Sequence, residues 1–312
     1  MRPLTRRALR LIPRLGLVAE PLADDAWVLR TKESPLSVTR LERGSWLVER
    51  PQRRRTVVSF GTARTRTQLI TDRQAARGTP GRVQNQMGRY LCDEYIPYVL
   101  ERLGINCVLD VGANAGQYAT MLRQSGYRGR IVSFEPLARY VQVLERAAEA
   151  DPDWLVRPFA LGNEHGTTQI NYVAGTISSL LPASDFGKDW SQGLREATAQ
   201  TIQIRRLDAL FDEVTAGVDQ PRVYLKMDTQ GYDLETFRGA GERIRDILAL
   251  QSEVSWVPLY EGMPRFPEQL AAYEEAGFAV SGIYPVSRHG QTLRLVESDL
   301  VMLRPEAVPP RR

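Results

Sequence analysis

From Ile105 to the end of the chain, short apolar runs alternate with helical patterns, and that alternation is what most limits the fold. A strand that feeds a helix and then another strand is the unit of a parallel sheet. INCVLDV (105–111) reads as the first strand, followed by a helix over 114–125. IVSFE (131–135) is the second strand, with a helix over 137–150, and WLVRPFALG (154–162) is the third. TTQINYV (167–173) and TIQIRRL (201–207) read as additional short strands around a Ser/Gly-rich excursion. VYLKMD (223–228) and ILALQSEV (247–254) continue the core. A helix over 267–277 then leads to FAVSGIYPV (278–286), the polar turn SRHGQ and LRLVESDLVML (293–303). Two strands joined by five turn residues make an antiparallel hairpin.

A mostly parallel seven-stranded sheet closed by a C-terminal antiparallel hairpin is the class I methyltransferase variant of the Rossmann-like α/β fold. We expect it over residues 81–312, after a boundary at Gly78, Pro80 and Gly81 and beginning with a helix over 84–103. Residues 1–80 read as an accessory extension, with a helix over the first dozen residues and short strands in AWVLRTKE, LSVTRLE, SWLVER and TVVSF.

Charge is unevenly divided. Residues 1–89 hold 19 Lys and Arg against 7 Asp and Glu, a net of +12, and residues 90–312 hold 22 against 30, a net of −8. Such asymmetry suits nucleic acid, an anionic membrane surface or an acidic partner, and also a merely solvated segment. PQRRRTVV lacks the interleaved aromatics that stack on bases. No apolar run approaches the roughly 18 residues that span a bilayer. Arg10 and Arg14 interrupt the region where a secretory core would sit, so the chain reads as cytoplasmic. Cys92, Cys107, His165 and His289 are its only cysteines and histidines, and none has zinc-type spacing. Thiolate catalysis, classical zinc sites and a Ser-His-Asp triad are poor fits to that inventory.

The segment VLDVGANAGQY places Asp110, Gly112 and Gly116 after a strand and before a helix. Gly112 permits a tight turn and close backbone approach, and the helix N-terminus offers N–H groups to a carboxylate. This is the D-x-G-x-x-x-G pattern of S-adenosylmethionine binding. A dinucleotide loop would need further glycines where Asn114 and Gln117 stand. Glu135 ends the second strand, 25 residues after Asp110, where a carboxylate can accept both ribose hydroxyl hydrogens.

Together with GRIVSFEPL, ALGNEHG, SSLLP (178–182), YLKMDTQGYDLETFRGA, LQSEVSWVPLYEGMP and ESDLVMLRP, this segment resembles the FkbM family of S-adenosylmethionine-dependent methyltransferases. The resemblance runs over residues 104–305 in the family's order and leaves residues 1–80 outside. The family's K-x-D-x-[EQ]-G-x-[ED] motif is filled by Lys226, Asp228, Gln230, Gly231 and Asp233. The resemblance implies transfer of a methyl group to a hydroxyl of a polyketide or of a sugar in a cell-surface glycolipid or polysaccharide. It also implies cofactor contacts from Asp110, Gly112, Ala113, Asn114, Gly116, Glu135, Ala160 and Leu161, and an acceptor contact from Ser179.

Asp228 is the first candidate for orienting or deprotonating the acceptor hydroxyl, with holding the cofactor's ammonium as the alternative. Lys226, on the same strand face, is a candidate to stabilise the alkoxide or to form a structural ion pair. Glu253 ends the next strand beside them. Asp228 and Glu253 could share a divalent metal, which is not favoured because two carboxylates are a thin ligand set. Trp256 and Tyr260 are candidates for stacking on a sugar, or ordinary packing residues. The sequence therefore points to a small-molecule or glycan acceptor, with peripheral membrane contact through the basic N-terminus and a homo-oligomer both left open. A nucleic-acid methyltransferase is the runner-up, although KMDTQG stands where an N-P-P-Y-type tetrapeptide would be expected. A binding module without activity is the third reading.

Overall fold

The computed structural model describes the backbone of six strands before residue 73 and of residues 80–310, with side chains from residue 85 onward. The helix expected over the first dozen residues lies outside the described residues. Two compact units divide the chain at Val83 and Gln84. In the first, β1 (Leu17–Ala23) pairs with β2 (Ala26–Thr31), β3 (Ser37–Arg40) with β4 (Trp46–Glu49), and β5 (Arg55–Phe60) with β6 (Thr67–Asp72), all antiparallel. β1 and β6 were not among the expected strands; Pro21 and the polar residues of TQLITD weaken their strand signal.

The helix α1 (Pro80–Arg102) starts just before that division, and from it the second unit runs to β7 (Cys107–Val111), α2 (Gln117–Gln124), β8 (Arg130–Phe134), α3 (Ala138–Ala148) and β9 (Trp154–Arg157). An excursion follows: β10 (Ala160–Leu161), β11 (Gly166–Tyr172), the short helices α4 (Asp185–Trp190) and α5 (Gln192–Arg195), and β12 (Thr198–Arg205). After α6 (Phe211–Val214) come β13 (Val223–Met227), α7 (Asp233–Arg238), β14 (Ile247–Ser255), α8 (Phe266–Glu275), β15 (Ala279–Arg288) and β16 (Leu295–Leu303). The seven-stranded sheet has the order β15-β16-β14-β13-β7-β8-β9, parallel except where β16 runs antiparallel to both β14 and β15.

The strand expected over 154–162 is split in two. Pro158 has no N–H to give a ladder, and beyond it β10 leaves the main sheet to pair with β12 in a separate three-stranded sheet, β10-β12-β11. The first crossover helix starts at Gln117 and not at 114, because Asn114 and Gly116 both take positive φ (49° and 83°) and keep the preceding loop out of helical geometry.

Side chains alternate across the buried strands. Cys107, Leu109 and Val111 of β7 join Leu225 and Met227 of β13 in one core layer. Val108 and Tyr224 face the other layer, against Cys92, Ile96 and Leu100 of α1 and Leu122 of α2. On that second face the register aligns Gln251, Lys226, Asp110 and Ser133 in one row across β14, β13, β7 and β8. These polar residues sit near the strands' carboxyl ends.

The loop after β13 is tied down by Asp233, which has no exposed surface. Its Oδ1 accepts the Thr229 N–H at 2.8 Å, and its Oδ2 accepts the Ser252 hydroxyl and the Glu253 N–H, each at 2.9 Å. Removing this buried acceptor leaves several donors without a partner. Asp233→Ala should therefore lower the unfolding free energy by about 3 kcal/mol. Urea denaturation checks this, and a loss below about 1 kcal/mol would show that the loop is held by other contacts.

Candidate active site

The row of polar side chains opens into a cavity of about 550 Å³ at the carboxyl ends of β7, β8, β13 and β14. Ligand crevices of open α/β sheets lie at this place. One side is formed by the Gly112–Ala113–Asn114 loop, Glu135 and the apolar Phe134, Leu137, Ala160 and Leu161. The other is formed by Asp228, Gln230, Gln251, Glu253 and Asp299, with Arg89 and Asp93 of α1.

Gly112 is required by the fold itself. At φ 74°, a Cβ there would lie 2.0 Å from the Asp228 carbonyl oxygen, so the turn and the end of β13 touch backbone to backbone. The Asp228 N–H also donates to the Val111 carbonyl at 3.1 Å. Gly116 faces away from the cavity, where a Cβ would meet Leu144 at 3.0 Å and the Trp154 ring at 3.1 Å. The amides of Gly112, Ala113, Asn114, Ala115 and Gly116 all have protein acceptors. The amides offered to a ligand are those of the first turn of α2, which have no acceptor four residues back.

Glu135 is 5% exposed, and each carboxylate oxygen accepts one backbone N–H at 2.9 Å: Oε2 from Asn114 and Oε1 from Leu137. The carboxylate is thus aimed while keeping lone pairs for a ligand's hydroxyls. Burial pushes its pKa up to about 7, against the pull of those two N–H bonds.

Lys226 and Asp110 are buried and pair at 3.0 Å, whereas Lys226 Nζ is 3.7 Å from Asp228 Oδ2. The ammonium also donates to the Val111 and Gly112 carbonyls, at 3.4 and 3.3 Å. Burial alone would depress the ammonium's pKa, but Asp110 and Asp228 outweigh it and hold it above its ordinary value. Asp110 has no exposed surface and takes a further hydrogen bond from Ser133 at 3.2 Å. Asp110 thus supports the loop from below and does not line the cavity.

Asp228 keeps 42% of its side chain exposed. Gln230 Nε2 donates to Asp228 Oδ1 at 3.1 Å and to Glu253 Oε2 at 2.5 Å, so one amide bridges the two carboxylates. Gln230 is itself fixed: Tyr260 donates to its Oε1 at 3.0 Å, and the Ser179 hydroxyl donates to its carbonyl at 2.6 Å. The amide therefore stands where a cation shared by Asp228 and Glu253 would sit. Among the described residues, no group of three or more His, Cys, Asp or Glu is placed to hold a metal ion.

Ser179 and Tyr260, each 1% exposed, belong to this scaffold and do not line the cavity. Trp256 lies outside it too, its indole N–H on Ser298 at 3.1 Å and its ring 4.4 Å from that of Phe266. Sequence reading passed over Tyr118, Gln251 and Asp299, which do line the cavity. Tyr118 carries its ring 5.4 Å from Lys226 Nζ and donates to Gln251 at 3.1 Å. The available signal for the other two was a polar residue inside an otherwise apolar strand.

Asp299 stands opposite Glu253 in the β14–β16 register. Burial, then Asp228, raises its pKa to about 7, and burial raises Glu253 as well. An acid whose folded pKa is raised holds its proton in the folded state after the unfolded chain has released it. Its contribution to stability is complete below the unfolded value, near 4, and is lost as pH rises through about 7. Asp299→Asn removes that loss, so its melting temperature should improve relative to wild type between about pH 5 and about pH 8. A difference that stays constant over that range would contradict the assignment.

No curated protein matches the chain. Among solved structures, it is similar to Aeropyrum pernix fibrillarin with natively bound S-adenosyl-L-methionine, at 12% identity and a TM-score of 0.39, covering 86% of this chain and 94% of that one. It is also similar to magnesium protoporphyrin IX methyltransferase from Synechocystis PCC 6803 with bound S-adenosylmethionine. There the identity is 10% and the TM-score 0.38, with 73% of this chain and 85% of that one covered. The family model for the methyltransferase FkbM domain matches residues 110–280, which is 171 of the 312 residues and more than half of the chain. The chain belongs to the FkbM family of methyltransferases.

Proposed function

We propose that the protein is an S-adenosylmethionine-dependent O-methyltransferase whose acceptor is a hydroxyl of a sugar, in a cell-surface glycolipid or polysaccharide, or of a secondary metabolite. The observation that carries this reading is the half-exposed Asp228 carboxylate, held in the cavity wall against the Gly112 turn.

The residues present suit the cofactor. Glu135 offers a pinned carboxylate for a ribose diol, and Phe134, Leu137, Ala160 and Leu161 give an apolar slot for the base. The first turn of α2 offers amides to the amino-acid carboxylate. S-adenosylmethionine supplies a methyl group already activated by its sulfonium.

The chain's own task is then to align the acceptor oxygen, exclude water and receive the hydroxyl proton. Alignment alone can contribute several kcal/mol, up to about 7–11. Asp228 is the proposed acceptor of that proton. Glu253, fixed through Gln230, is its neighbour, and burial holds its pKa well above the ordinary carboxylate value. Lys226 acts through position: paired first with Asp110, it anchors the turn and stays close enough to stabilise charge on Asp228.

The acceptor half carries four acids (Asp93, Asp228, Glu253 and Asp299) beside Arg89 and Lys226, a balance that favours a neutral hydroxyl over a phosphate backbone. The basic residues 1–89 fit attachment to an anionic membrane surface, where a glycolipid acceptor would lie, and this reading places the enzyme in the cytoplasm. Among the described residues no helix is long and apolar enough to cross a membrane.

The protein should bind S-adenosylmethionine and S-adenosylhomocysteine at micromolar level, about −8 kcal/mol, in calorimetry. Absence of heat from folded protein with either ligand would sink the reading. Asp228→Asn should lower turnover by about 10²-fold or more while leaving cofactor affinity little changed. Near-wild-type turnover at both limiting and saturating cofactor would remove Asp228 from the chemistry.

A further inference from the structure

The segment joining β11 to α4, residues 173–184, crosses the cavity between its two halves. Thr176, Ser178 and Leu180 face the cavity from it. Its tip at Gly175 is exposed, and a Cβ there would have nothing within 4 Å. Hydrogen bonds, and not packing, hold that tip to the cofactor half. The Gly175 carbonyl accepts from Asn114 Nδ2 at 2.9 Å and from the Tyr140 hydroxyl at 2.8 Å, and the Gly175 N–H donates back to Tyr140 Oη at 3.1 Å.

The other end is tied to the acceptor half. Ser179 exchanges two backbone hydrogen bonds with Asn171, at 2.8 and 3.2 Å, and donates its hydroxyl to the Gln230 carbonyl. The Ile177 carbonyl lies 3.0 Å from the Tyr260 hydroxyl. The two ends differ physically: Ser179 and Tyr260 are 1% exposed, whereas residues 174–176 are exposed. An exposed stretch with few apolar contacts has low local opening free energy, while its buried anchor does not.

We propose that residues 174–176, carried between the packed Val173 and Ile177, form a strap over the bound cofactor, and that Tyr140 is the positioning residue whose hydroxyl latches it shut. This rests on the cofactor reading above. Tyr140 does not line the cavity, so it acts only through Gly175. Its hydroxyl uses both of its functions there, donating to the Gly175 carbonyl and accepting the Gly175 N–H. The hinges lie at Val173 and Ile177, which pack on one apolar cluster. The strap opens from the cofactor side, so exchange of S-adenosylhomocysteine for S-adenosylmethionine requires its release while the acceptor half stays in place. Asn114 couples the two events, since one side chain belongs to the cofactor loop and holds the strap tip.

Tyr140→Phe tests this, because it keeps the buried ring and removes only the latching hydroxyl. In the full chain, release of S-adenosylhomocysteine should quicken about tenfold in stopped-flow displacement by excess S-adenosylmethionine. The melting temperature should stay at the wild-type value, since water can solvate the exposed Gly175 groups. In hydrogen exchange, residues 174–176 of wild type should gain protection when S-adenosylhomocysteine binds, and the variant should lose most of that gain. Release within twofold of wild type, or no ligand-dependent protection of the segment, would overturn the strap while leaving the cofactor reading standing. Folded wild type that binds no S-adenosylhomocysteine at all would overturn both.

Discussion

A buried lysine beside a buried aspartate is an expensive thing to place inside a sheet, and this one organises the site. Lys226 and Asp110 sit opposite each other on the adjacent parallel strands β13 and β7 and pair at 3.0 Å. Either charge alone at that depth would be strongly destabilising, so the two strands must end in register for the pair to form. Once they do, the ammonium's remaining donors reach the Val111 and Gly112 carbonyls, and Ser133 supplies a second bond to Asp110. The turn that follows β7 is thereby fixed from beneath. Its upper side, carrying Ala113, Asn114 and the first turn of α2, is left for a ligand.

The same pair explains why Gly112 is needed. Holding β7 and β13 level brings the residues after each strand into contact, and only a residue without a Cβ tolerates the Asp228 carbonyl. Asp228 is consequently placed by backbone contacts, not by its own side chain. Its carboxylate can stay half exposed and chemically available while its position is rigid, which is the arrangement a proton-accepting group requires.

How much of this could be read from the sequence follows from the range of each interaction. The glycine turn and the K-x-D spacing are local patterns, each written within about ten residues, and Glu135 was legible from the end of its own strand. The alternation of strands and helices was legible because the central parallel strands β7, β8 and β13 are short, mostly apolar runs. The Gln230 bridge was not, because its partners are Glu253 and Tyr260, 23 and 30 residues away, and no periodicity links them. For Tyr260, stacking on a sugar and ordinary packing were both open, because the sequence does not show what covers an aromatic in an irregular segment. Here the excursion after β10 folds over it and leaves it 1% exposed. Pro158 was visible, but its effect, moving β10 into a different sheet, depends on β12 waiting 40 residues later to receive it.

The bridge also settles which electrostatic problem the site has to solve. Asp228, Glu253 and Asp299 crowd one wall, and burial together with mutual repulsion drives the deeper two toward protonation. A cation would relieve that repulsion by charge. Gln230 relieves part of it by two N–H groups held on a rigid backbone, without adding charge. An amide lowers the repulsion less than a cation does, so Glu253 and Asp299 keep raised pKa values, while Asp228 lies 3.7 Å from Lys226 with 42% of its side chain exposed. Carboxylates in unequal surroundings are what divides a proton-accepting role from a structural one. On this wall the gradient runs from Glu253 and Asp299, opposite each other on β14 and β16, to Asp228 at the end of β13.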